Sequence, residues 1–93
     1  MAGNRKITRM VCAAFMAQMS LRHGNSNTDG KSLFLHGNKI AKWENGKVWV
    51  TTARWDTVTT RERLNGLVNC SVDRHRGDLM LNGKQWDGEW TQL

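Results

Sequence analysis

The chain has no proline and no tyrosine among its 93 residues, and only two cysteines. Without proline, every turn falls to Gly, Asn and Asp, which reach turn conformations through positive φ or side-chain hydrogen bonds. Two cysteines do not make the disulfide framework that staples small secreted domains. Cys12 sits among helix-spaced apolar residues and Cys70 lies between Val68 and Val72, so both are expected as buried free thiols. Long apolar runs are missing too. Met10 to Ala17, preceded by Arg5, Lys6 and Arg9, is too short to span a bilayer and ends at Gln18 without a signal-peptide cleavage site. No membrane partner is therefore expected.

Catalytic grammar is equally sparse. His23, His36 and His75 are scattered, and the cysteines lack metal-ligand spacing, so no metal site is expected. There is no nucleotide-binding glycine loop and no nucleophile motif. Asp56, Asp73 and Asp78 each have arginines nearby in sequence, which keeps a carboxylate ionised instead of poised for proton transfer. The expectation is a protein that is not an enzyme and uses no cofactor. A small nuclease or hydrolase built on His36 or His75 is the outlying alternative.

What the chain does have is positive charge and tryptophan. Its net charge is +6, unevenly placed: residues 1 to 67 carry eleven Lys or Arg against four acids, and the remainder carries three against four. Such a field favours nucleic acid or an acidic protein face. Trp43, Trp49, Trp55, Trp86 and Trp90, with Phe15 and Phe34, supply all the aromatic surface, and large rings of this kind fill the cores of small domains.

The patterning predicts a single α+β domain over residues 1–93. Ile7, Met10, Val11, Ala14 and Gln18 recur at helical spacing, with Phe15 and Leu21 widening the stripe, so a helix is expected over 5–22. A polar connection at 23–30, either a loop or a short edge strand, leads to an antiparallel meander over 32–53. Asn45-Gly46 is a strong signal for a type I′ hairpin turn. It pairs Glu44 with Lys47, Trp43 with Val48, Lys42 with Trp49 and Ala41 with Val50. A second turn at Gly37-Asn38 would pair Leu35 with Ile40 and Phe34 with Ala41. This register makes both faces of the meander apolar near its middle strand, so cover is expected on both. Thr59 fits as the N-cap of a basic helix over 59–68, with Glu62 completing a capping box. Residues 78–90 repeat the turn chemistry and predict a C-terminal hairpin.

The best anion-binding candidate is the start of that second helix. Free backbone N–H groups, the hydroxyls of Thr59 and Thr60, and the guanidinium groups of Arg61 and Arg63 suit a phosphate or carboxylate. Lys39, Lys42, Lys47 and Arg54 would extend the positive surface, and Trp49 or Trp55 would stack on bases.

The run Leu35-His36-Gly37-Asn38-Lys39-Ile40-Ala41, followed by Trp55-Asp56-Thr57-Val58-Thr59-Thr60-Arg61-Glu62-Arg63-Leu64-Asn65, resembles a group of small tailed-bacteriophage proteins. They look alike in an LHGNxIA strand pair and a TTRxRLN helix, often with an upstream segment like Gly24-Asn25-Ser26. The resemblance implies a phage origin and a host-cytoplasm location. The leading expectation is a phage accessory protein binding DNA or RNA through its basic surface. The alternative is an inhibitor that covers an acidic surface of a host polymerase, nuclease or defence complex.

Overall fold

A computed structural model describes residues 2–93, with side chains from Lys6 onward; the Arg5 side chain, expected in the first helix, lies outside the described residues. The element order is α1 (Ala2–Met16), β1 (Ser20–His23), β2 (Ser26–Asp29), β3 (Ser32–Leu35), β4 (Asn38–Glu44), β5 (Lys47–Val50), α2 (Val58–Asn65), β6 (Val72–His75), β7 (Asp78–Leu81), β8 (Lys84–Gln85) and β9 (Thr91–Gln92). The fold is α+β. One sheet has the order β1-β2-β3-β4-β5-β9, and β6-β7-β8 form a second.

α1 ends earlier than its apolar pattern suggests. Gln18 adopts φ 58, while Met19 N donates to Ala14 O and Gln18 N donates to Phe15 O. These are the two bonds of a Schellman cap, with Gln18 at the left-handed position that glycine usually fills. Chain direction reverses there, and Leu21 belongs to strand β1 instead of the helix.

The β4–β5 hairpin has the register expected from Asn45-Gly46, pairing Glu44 with Lys47 and Ala41 with Val50. The preceding turn falls one residue earlier than expected. His36 and Gly37 both take positive φ, so Leu35 pairs with Asn38 and Phe34 with Lys39. The register then shifts, and Leu33 pairs with Ala41. One extra residue on β4 places both Ile40 and Ala41 in the core, as a β-bulge does.

That bulge separates the sheet into two unlike faces. Leu33, Leu35, Ile40, Ala41, Val48 and Val50 face inward and pack with Val11 and Phe15 of α1 and Leu64 of α2. Trp43 Nε1 donates to Phe15 O at 2.9 Å, pinning the end of α1 to β4. The other face carries Arg22, Asn27, Phe34, Lys39, Lys42, Trp49 and Gln92, and none of these is buried. The expectation of cover on both faces is thus corrected. With extents of 35 × 34 × 21 Å the molecule is about two layers thick, and the helices occupy the inward side.

α2 is capped by Thr57, not Thr59: Thr57 Oγ1 accepts from Thr60 N at 3.1 Å. Thr60 Oγ1 donates to Trp55 O at 2.7 Å, so the pair of hydroxyls closes the entry to the helix. Glu62 lies too far along to complete a capping box with Thr57. At the other end, a Cβ on Gly66 would meet Thr8 Cγ2 at 2.5 Å and Cys12 Sγ at 2.7 Å. Only glycine allows α1 and α2 to approach this closely. The Asn65 side chain bonds both N–H and C=O of Val72, joining α2 to β6. The expected C-terminal hairpin is present as β7 and β8, extended by β6 on one side, and β9 returns to pair with β5.

Candidate functional site

The structure divides the expected site residues into two groups. The α2 group is occupied with internal contacts. Arg63 is 1% exposed, with Nε donating to Ser26 Oγ at 2.8 Å and Nη1 donating to Thr8 Oγ1 at 2.6 Å. It links α2 to α1 and the sheet, so the expectation that it faces a partner is corrected. Thr60 is buried by its bonds to Thr57 and the Trp55 carbonyl. Arg61 Nη1 donates to Asp56 Oδ1 at 2.6 Å, and Arg74 Nη2 binds the other oxygen of the same carboxylate. Asp56 therefore engages both arginines and draws the Arg61 guanidinium into an internal ion pair. Thr59 is half-buried and donates or accepts no side-chain bond in the cap itself. The open recess beside it is lined by Arg61 and Arg74 together with Glu62 and Asp73, so its cations are matched by acids.

The second group converges on the outer sheet face. Cross-strand pairing puts Lys42 beside Trp49, and alternation puts Lys47 on the same face at the hairpin end. Lys42 Nζ lies 4.5 Å from the Trp90 ring centroid and 3.5 Å from Glu44 Oε1. Lys39 Nζ lies 5.9 Å from the Phe34 ring centroid. Contacts of this kind leave an ammonium on an aromatic surface that is still partly open. An open recess of about 440 Å³ is lined by Lys39, Lys42, Ala53, Arg54, Glu89 and Trp90, among others. Arg54 is thus brought next to two lysines that lie 15 and 12 residues before it. Trp55 stands apart in the following loop, 55% exposed.

Phe34 and Trp90 are the aromatic residues that sequence reasoning missed. The turn at Gly37-Asn38 expected from the sequence pairs Phe34 with Ala41 on a covered face, whereas the observed turn pairs it with Lys39 on the open one. Trp90 is located by the pairing of Trp49 with Gln92, a two-residue strand with no apolar pattern. Opposing charge at the site comes from Glu44 and Glu89, fewer groups than the cations they face.

Among the described residues, no cluster of His, Cys, Asp and Glu could hold a metal ion. His36 Nε2 is engaged by the Asn25 amide at 3.2 Å. Burial pushes both thiols up to about 12 from an ordinary 9.0, so neither Cys12 nor Cys70 is a ready nucleophile. No helix among the described residues is long and apolar enough to cross a membrane.

Compared with known proteins, residues 4–92 match the family model described as Kyanoviridae Gp96 protein. No curated protein and no solved structure matches the chain.

Proposed function

We propose that this chain, which belongs to the Kyanoviridae Gp96 family of phage proteins, is a non-enzymatic accessory protein that binds nucleic acid on the outer face of its six-stranded sheet. The host cytoplasm is its place of action. The supporting observation is the convergence of Lys39, Lys42 and Arg54 around Trp90, beside Phe34 and Trp49, on a face where no residue of that set is buried. Cations attract phosphates without regard to sequence, and unburied rings offer stacking surface to bases. At the start of α2 the cap and Asp56 engage the polar groups, so on this reading the binding region lies on β3, β4, β5 and the loop that follows.

The direct test is the double charge reversal Lys39→Glu with Lys42→Glu. Both side chains lie outside the core, so the melting temperature should change little while affinity for DNA or RNA is lost. Retained affinity would move the site elsewhere.

A second reading has its own observation. Trp55 and Val58 are 55% and 70% exposed, close to one another in sequence and next to Arg54, and Trp with Arg is the pairing enriched at protein-interface hot spots. An acidic surface of a host protein would suit that end of the molecule. Capture of a host protein that Trp55→Ala releases and the lysine reversals spare would favour this reading.

A further inference from the structure

The turn that presents Arg54 is built against its own conformational preference. Trp55 N donates to Thr52 O at 2.8 Å, which makes Ala53 and Arg54 the central residues of a tight turn. Both have positive φ, 55 and 62. Among the described residues, consecutive positive φ values also occur at His36-Gly37, Asn45-Gly46, Arg76-Gly77 and Asn82-Gly83. In each of those the second residue is glycine, which adopts the left-handed region without steric cost. Here it is arginine. A Cβ is disfavoured in that region, and such strain concentrates where a side chain must be aimed.

The surrounding bonds show what it is aimed at. Thr51 Oγ1 accepts from Ala53 N at 3.1 Å and donates to Gly88 O at 2.6 Å. Thr52 N donates to the same carbonyl at 2.9 Å. One clamp therefore fixes the Arg54 turn to the segment Gly88-Glu89-Trp90, and Arg54 and Trp90 line the same recess. Trp90 is 36% exposed, with the Lys42 ammonium over its ring.

We propose that this recess is a subsite for one unpaired nucleotide of a single strand. The base stacks on Trp90, and its phosphate lies between Arg54, Lys39 and Lys42. The inference rests on the nucleic-acid reading above and narrows it to single strands. An arriving base displaces the Lys42 ammonium from the indole and leaves it free to join the phosphate contacts. A recess of about 440 Å³ suits a single small ligand. Paired bases, stacked on both sides within a duplex, have no free ring face to give Trp90.

The experiment uses the full chain at low salt, titrated by fluorescence anisotropy with labelled oligo-dT and with a duplex of equal length. The wild type should prefer oligo-dT. Trp90→Ala should weaken oligo-dT binding by about 10- to 100-fold, the range of a lost base–aromatic stack, and weaken duplex binding by much less, so that the preference is lost. Trp90→Phe should keep most of the preference. Arg54→Gly should weaken oligo-dT binding and at the same time raise the melting temperature, because it releases the left-handed arginine. An arginine kept for folding would lower it. Should Trp90→Ala fail to fold, the Arg54→Gly pair of readouts decides alone. Equal affinity of the wild type for both nucleic acids, or a preference that survives Trp90→Ala, overturns the subsite and leaves the broader reading standing. Binding to neither overturns the broader reading itself, and the subsite with it.

Discussion

Replacing Arg63 by alanine tests the division between the two groups of basic residues. Its guanidinium is almost fully enclosed and bonds Ser26 Oγ at 2.8 Å and Thr8 Oγ1 at 2.6 Å. Hydrogen bonds to a charged group contribute about 1.5–3 kcal/mol each, so two give about 3–6 kcal/mol. Alanine also leaves a void where a long side chain lay, which adds to the loss. Relief from burying a charge works in the opposite direction. A net destabilisation of about 3–5 kcal/mol is expected, a large share of the roughly 5–14 kcal/mol available to a chain of this size. Urea denaturation followed by tryptophan fluorescence would read it as a reduced midpoint with an unchanged slope. In a thermal melt the same loss lowers the midpoint by roughly 12 °C or more. Nucleic-acid affinity, measured where the variant is still folded, should stay close to wild type. A variant with wild-type stability and lost binding would refute the assignment of Arg63 to the interior.

Two further perturbations probe the packing beneath the site. Gly66→Ala drives a methyl group into Thr8 Cγ2 and Cys12 Sγ and should cost about 1–3 kcal/mol in urea denaturation, the range for overpacking. A neutral result would mean that α1 and α2 are not held so close. The thiols of Cys12 and Cys70 are raised by burial from 9.0 to about 12, so the folded state retains protons that the unfolded state gives up. Their contribution is fully present below about pH 9 and is lost as pH rises from there toward 12. Stability should therefore fall over that window, and both thiols should resist a thiol-reactive disulfide at pH 8 until urea unfolds the chain. Fast labelling of the native protein would contradict their burial.

The parts of the fold legible in the sequence are those where one residue type dictates one conformation. Asn45-Gly46 is such a place, and it set the whole β4–β5 register correctly. The α+β class followed from a change of apolar period between residues 5–22 and 32–53. Elsewhere the deciding residue was an ordinary one in an unusual role. Gln18 takes a cap position normally held by glycine, so nothing in its type marks the end of α1. Of the threonines Thr57, Thr59 and Thr60, the last two lie inside the helix, and only the bond from Thr60 N selects Thr57 as the cap. The bulge that buries Ile40 beside Ala41 carries no local signal, yet it decides which aromatics face outward.

Much the same holds for the site. Lys39, Lys42 and Arg54 were identifiable as basic residues near the meander, and the structure gathers them. Arg61 and Arg63 had equal claim by charge and spacing. Their partners separate them: Asp56, just before the helix, takes Arg61, while Thr8 and Ser26, both distant in sequence, take Arg63. Trp90 enters only through β9, which closes the sheet from the far end of the chain.

The central claim is that the basic, aromatic outer face of the sheet holds nucleic acid. Its most direct measurement is the salt dependence of oligo-dT binding by the wild-type chain. Lys39, Lys42 and Arg54, with Arg22 and Lys47 at the margins of the same face, correspond to about three to five phosphate contacts and a slope of about −2 to −3.5 in log K against log salt. Affinity should then fall by roughly 15- to 150-fold between 50 and 200 mM salt, and Lys39→Glu with Lys42→Glu should remove it at the lowest salt. A flat salt profile, or no binding at low salt, would contradict the account.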